Sequence, residues 1–151
     1  MTRIACLALV LLAGCGEVVD VTFPDDYQTW GVTAPGKRVI VTGNAPGHSN
    51  SYRVIYADAT ASDPAEHVIG YPEGSTIVKE IYDLVDGGPG ELKYLALMRR
   101  IGPVTKALED EGGWLFTETD RAGEPEKTFD FCWSRCHVAA PYNGAWYDYR
   151  K

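Results

Sequence analysis

Apolar and polar positions divide the chain into a leader, a tether and a strand-rich body. Residues 4–12 form an unbroken apolar run behind a single basic residue, Arg3. The run is too short to cross a bilayer as a helix and fits the central region of a secretory signal. Beyond residue 23 the pattern changes. Pro24 opens a short predicted helix over residues 25–30, with acids near its start. Residues 37–42 are rich in valine and β-branched. Residues 52–57 alternate, with Tyr52, Val54 and Tyr56 on one side and Arg53, Ile55 and Ala57 on the other. Residues 59–67 fit one or two helical turns.

Tyr71-Pro72-Glu73-Gly74 has Pro second and Gly fourth, as a turn prefers. Residues 75–84 give the strongest strand signal. A glycine-rich loop at 86–90 precedes a partner strand at 91–100. A helix is expected at 105–109 and a strand at 114–119. The tail from Cys132 onward is aromatic, with Asn143-Gly144 as a turn. About five strands at hairpin spacing with a few short helices predict an α+β domain, mainly an antiparallel β-sheet with helices at its ends or on one face. No internal repeat or low-complexity segment interrupts it.

The leader ends in Leu12-Ala13-Gly14-Cys15, a tetrad of the lipobox kind, in which cleavage precedes a cysteine that is then acylated. An ordinary secretory signal with an incidental cysteine is the alternative. The expected division is a signal over 1–14, a tether over 15–23 and one domain over 24–151. The protein is thus expected in the bacterial cell envelope, facing the periplasm and held to the membrane only through lipid on Cys15; a freely secreted periplasmic form is the alternative. Removing Arg3 with the signal leaves 13 basic against 21 acidic side chains, a net charge of −8. Such an acidic chain is not expected to bind nucleic acid.

Of four cysteines, Cys6 leaves with the signal and Cys15 takes the lipid. Cys132 and Cys136 remain, in the segment Cys132-Trp133-Ser134-Arg135-Cys136-His137. Two thiols followed at once by a histidine mark attachment of a c-type haem: the thiols add to the vinyl groups and the imidazole binds iron. The spacing has one residue more than the usual Cys-x-x-Cys-His, which bears first on the Cys132 thioether. Two other readings stay open here. One is a Cys132–Cys136 disulfide in an oxidising compartment. The other is a zinc site using both thiols and His137, with His48 or His67 as fourth ligand. For the far face of an iron the candidates are Met98, His48 and His67. Met98 fits a core strand position and the two histidines fit loops, so an open sixth site is expected. Ser49 and Ser51 beside His48 lack an ordered acid and do not make a hydrolase. The acidic runs at 25–26 and 109–111 are read as solvated faces. The 146–149 aromatics are expected beside the haem or at a dimer seam.

These residues, taken in order, resemble the cytochrome P-460 family, which also includes the cytochromes c-prime-beta. The resemblance runs from Pro24-x-x-Tyr27-x-x-Trp30 through Arg53-Val54-Ile55-Tyr56 and the 72–80 segment Pro-Glu-Gly-Ser-Thr-Ile-Val-Lys-Glu. Gly113-Trp114-Leu115-Phe116 and the cysteine–histidine motif complete it. It implies a homodimer of β-rich domains, one covalent haem c per chain, His137 as proximal ligand and an open distal face. It further implies that Lys79 bonds to a meso carbon of the haem and that Arg53 lines the pocket.

Alternation puts Lys79 with Ile77 and Ile81, and a lysine kept neutral by burial is nucleophilic. An edge lysine reaching to water is the plain alternative. The carboxylate that takes protons in hydroxylamine-oxidising members falls near Met98-Arg99, where this chain has no acid; Glu80 or Glu91 could stand in only if geometry allows. The resemblance thus implies an oxidoreductase acting on hydroxylamine or nitric oxide, with an electron-accepting cytochrome as partner. The alternatives are a binder of nitric oxide or another diatomic gas without turnover, and a haemless envelope lipoprotein.

Overall fold

The computed structural model describes residues 21–45, 48–64, 70–101 and 106–151. The predicted signal, Cys15 and His67 lie outside these. Six strands form one antiparallel sheet in sequential order: β1 (Lys37–Ala45), β2 (His48–Ala57), β3 (Thr76–Val85), β4 (Gly88–Arg100), β5 (Trp114–Thr119) and β6 (Lys127–Thr128). Two short helices, α1 (Lys106–Asp110) and α2 (Phe131–Arg135), and 3-10 turns at Tyr27–Thr29 and His137–Ala139 complete it. The mainly antiparallel α+β class is as expected. No helix among the described residues is long and apolar enough to cross a membrane.

Several boundaries differ from expectation. The sheet has six strands, because β6 is two exposed residues with no hydrophobic signature. The 86–90 loop shrinks to a two-residue turn: Asp86 and Gly87 have φ of 49° and 82°, so Val85 pairs directly with Gly88. The 71–74 turn moves on by one residue. Ser75 N–H donates to Pro72 O, and Gly74 sits third with φ 90°, where a type II turn needs glycine. The 25–30 helix contracts to one 3-10 turn. Phe23, read as tether, packs edge-on against Tyr27.

Period-two alternation gives the sheet two unlike faces. The back face carries Val54, Tyr56, Val78, Leu95 and Leu97, covered by Tyr27 and Trp30 of the N-terminal segment. The front face carries Ile55, Ala57, Ile77, Met98 and Phe116, covered by Tyr71, Ala145 and Tyr149. Tyr71 holds the C-terminal tail here: its hydroxyl donates to Tyr147 O at 3.1 Å and accepts from Tyr149 N–H at 3.3 Å. The front face under that tail is where the candidate residues collect.

Candidate functional site

The tail does not close fully on the sheet. A cleft with about 740 Å³ of empty space, counted to its open mouth, lies between them. Val41, Arg53, Ile55, Ile77, Lys79 and Met98 line its sheet side, and His137, Ala145, Trp146, Tyr147 and Tyr149 its tail side. A second compartment of about 370 Å³ adjoins it, sharing His48, Ile77, Lys79, Met98 and His137, and adding Ala96, Phe116, Glu118 and Cys132.

His137 is fixed by a tight turn. Asn143 and Gly144 both have positive φ, 51° and 91°, and Tyr142 bridges Ala145 around them. Trp114 Nε1–H donates to Asn143 O at 2.9 Å. A side chain at 144 would meet Trp114 Nε1 at 2.7 Å and Trp133 at 2.9 Å, so only glycine fits. The Gly144 carbonyl lies 2.6 Å from His137 Nδ1, which therefore carries the hydrogen and leaves Nε2 as the lone-pair nitrogen. The ring packs on Phe116 with centroids 4.7 Å apart. Burial lowers its pKa; the Gly144 bond works the other way and the charge of Lys79 adds to the lowering.

The extra residue between the cysteines has a structural account. Cys132 lies in α2 and Cys136 is its C-cap; Cys136 N–H donates to Cys132 O at 3.1 Å, so the two are one turn apart. Both thiols are unpaired in this structure. Cys132 lies against the front core and lines the second compartment. Burial, then the charge of Glu118, pushes its thiol up to about 11, so it stays protonated. Among the described residues no three His, Cys, Asp or Glu side chains converge to hold a metal, which removes the donor set the zinc reading needs.

The sheet floor is ordered by register. Lys79 pairs with Ile55 on one side and Ala96 on the other, and Ala96 pairs with Glu118. One transverse row thus reads Ile55, Lys79, Ala96, Glu118, all on the front face. The small side chain of Ala96 leaves room between amine and carboxylate. In the next row Arg53 pairs with Ile81, and Ile81 with Tyr94. Arg53 is 2% exposed, and its guanidinium reaches Ser51 Oγ at 3.3 Å. Lys79 Nζ lies 3.1 Å from His48 Nε2, and His48 Nδ1 lies 2.8 Å from Tyr94 Oη. Burial, then repulsion from Arg53, brings the Lys79 pKa down to about 8. Burial, then Lys79 and Arg53, brings His48 down to about 3. Burial raises Glu118, offset by the charge of Lys79.

Lys79, Arg53, Cys132 and His137 therefore gather around one cleft and its adjoining compartment, with Cys136 at the C-cap of α2. Met98 is buried as expected and touches both compartments. Two residues, Tyr94 and Glu118, were missed, and a third, His48, was weighed as an iron or zinc ligand but placed in a loop. His48, taken for a loop residue, begins β2 and lines the cleft. Tyr94 stands behind it. Glu118 is an acid on the face of Trp114 and Phe116, the same odd placement that singled out Lys79. Neither suggested stand-in acid is here: Glu80 points to the back face and Glu91 is exposed. Arg99 is also at the back, in a bidentate pair with Glu126 at 2.6 and 2.7 Å.

The donor set fits a c-type haem. Two free thiols lie one turn apart, and an anchored imidazole with a free nitrogen lines a largely apolar cleft beside them. The family described as Cytochrome P460 matches the chain over residues 24–146. No curated protein matches it.

Proposed function

The chain belongs to the cytochrome P460 family and is thus a haem-containing cytochrome, and from that premise we propose that it is a monohaem c-type oxidoreductase acting on hydroxylamine or nitric oxide. The observation that carries this reading is the set of unpaired Cys132 and Cys136 thiols beside His137, whose free Nε2 belongs to a residue lining a cleft floored by Lys79. Cys132 and Cys136 would tether the haem through thioethers, and His137 would bind its iron. The haem, when bound, supplies a redox-active iron that takes small nitrogenous ligands and passes electrons on.

The chain's own residues supply the rest. The buried Arg53 guanidinium offers N–H donors to an oxygen that gains negative charge. Glu118, its pKa raised by burial, takes a proton from the substrate. Trp146 and Tyr147 line the tail side of the mouth and limit water. Lys79, its amine brought down to about 8, is the nucleophile that bonds to the porphyrin edge. The same reading takes the protein to be a homodimer in the cell envelope, anchored through Cys15, that hands electrons to an acceptor cytochrome.

The test is the full chain produced with haem-maturation machinery. The expected result is an intact mass carrying one haem, colour that survives acid acetone, and dye reduction driven by hydroxylamine. Glu118→Gln should slow that reduction by about 10²-fold with the spectrum kept. Colourless protein, or colour lost to acid acetone, overturns the reading. Haem retention with tight nitric oxide binding and no dye reduction replaces it by a gas-binding role.

A further inference from the structure

Both nitrogens of the His48 ring are engaged in the cleft wall, one by Lys79 Nζ at 3.1 Å and the other by Tyr94 Oη at 2.8 Å. The three residues stand on β2, β3 and β4, so the arrangement exists only in the assembled sheet. A neutral imidazole has one N–H and one lone pair, and an ammonium only donates. Nε2 therefore accepts from Lys79, and Nδ1–H donates to Tyr94 Oη. Tyr94 sets the tautomer of His48, and His48 sets the position of the amine.

A lysine side chain has four rotatable bonds and reaches many points of a cleft this size. Other groups facing the amine do not fix it. Arg53 of β2 repels it, Glu118 of β5 attracts it through charge, and the Cys132 thiol facing it is neutral. Among the described residues, Nζ makes its hydrogen bond to His48.

We propose that His48, backed by Tyr94, is the positioning residue that holds the Lys79 amine at one point of the cleft wall and so selects where that nitrogen bonds to a haem seated on His137. This rests on the reading of Lys79 as the residue that bonds to the porphyrin. In that step one N–H of the neutral amine and one meso C–H are replaced by an N–C bond. The two hydrogens leave as two protons and two electrons, taken up by hydrogen peroxide, which becomes two waters. His48 is unchanged. Its contribution is orientation, which counts most where a flexible nucleophile must meet one atom among several.

The experiment uses the full chain matured with haem, digested and mapped by mass spectrometry. It reads the fraction of Lys79 peptide bonded to haem, together with the ferrous Soret position. Glutamine can accept and donate as His48 does, so His48→Gln should link as fully as wild type. His48→Leu should lower the linked fraction about tenfold, with the haem still held by its thioethers. Tyr94→Phe should fall between, about two- to threefold below wild type.

Full linkage in His48→Leu overturns this proposal and leaves the Lys79 reading standing. If the leucine variant does not take up haem, the glutamine variant decides: linkage well below wild type overturns the proposal, and full linkage supports it. Haem-loaded wild type in which Lys79 carries no haem overturns both.

Discussion

Lys79 and Glu80 are adjacent in the chain and occupy opposite worlds. Glu80 is 2% exposed on the back face, where its carboxylate accepts from Tyr27 Oη at 2.8 Å, Gln28 Nε2 at 2.7 Å and Tyr82 Oη at 3.0 Å. Its donors fill the space around it, and the hydroxyls of Tyr27 and Tyr82 are pushed up, first by their burial and then by their bonds to it. Lys79 on the front face has, among the described residues, the His48 ring as its hydrogen-bond partner, beside open volume. A buried charge with its bonding capacity saturated ties elements together; here it pins the N-terminal segment to β3. A buried charge left mostly unsatisfied next to a cavity is costly to fold around, and such groups cluster where chemistry is done. Two neighbouring ionisable residues thus differ in role because of what the sheet presents to each face.

The sharpest way to break this contrast is to remove the saturated charge. Glu80→Leu leaves the hydroxyls of Tyr27 and Tyr82 and the amide of Gln28 without their acceptor, and should cost about 4 kcal/mol. Urea unfolding measures it, and a loss under about 1 kcal/mol would mean that the back-face cluster is not what ties the segment down.

A smaller effect should appear with pH. His48 titrates near 6.5 when unfolded and near 3 when folded. Above 6.5 it is neutral in both states. As pH falls below 6.5 the unfolded chain takes up a proton that the folded chain refuses, so stability is lost. Allowing for its partial exposure, the loss should reach about 2 kcal/mol by pH 4. The carboxylates titrate in the same window, so the measurement is the difference between wild type and His48→Gln, which should lack this part of the slope. Identical pH profiles would show that the ring is not held neutral.

The smallest effect should have the opposite sign to the first. Lys79→Met replaces a poorly compensated charge with an apolar side chain of similar length, and should stabilise the haem-free chain by about 1 kcal/mol. Destabilisation comparable to that of Glu80→Leu would erase the distinction between the two faces.

Much of this fold was legible because strand alternation writes burial directly into sequence. The 52–57 segment assigned Arg53 and Ile55 to one face and Val54 and Tyr56 to the other, as the two cores have them. The 114–119 strand was right to the residue. Glu118 could have been found by the same alternation, since it follows Trp114 and Phe116 on their face. His48 could not. The 48–51 stretch His-Ser-Asn-Ser is polar and reads as loop; it becomes strand because Gly43 and Asp83 pair with Ser51 from either side. Ladder hydrogen bonds, not side-chain hydrophobicity, extend β2 there.

By itself, the sequence determined the strand-rich class, the two faces of the central strands and the thiol–thiol–imidazole segment, because periodicity and adjacent donor types are local properties. Only the tertiary structure decided that the thiols lie one helical turn apart, that Gly144 anchors His137, and that His48, Tyr94 and Glu118 surround Lys79. The last of these are distances between residues far apart in the chain. They are set by strand register and by the turn that folds the tail over the sheet, and no local pattern encodes them.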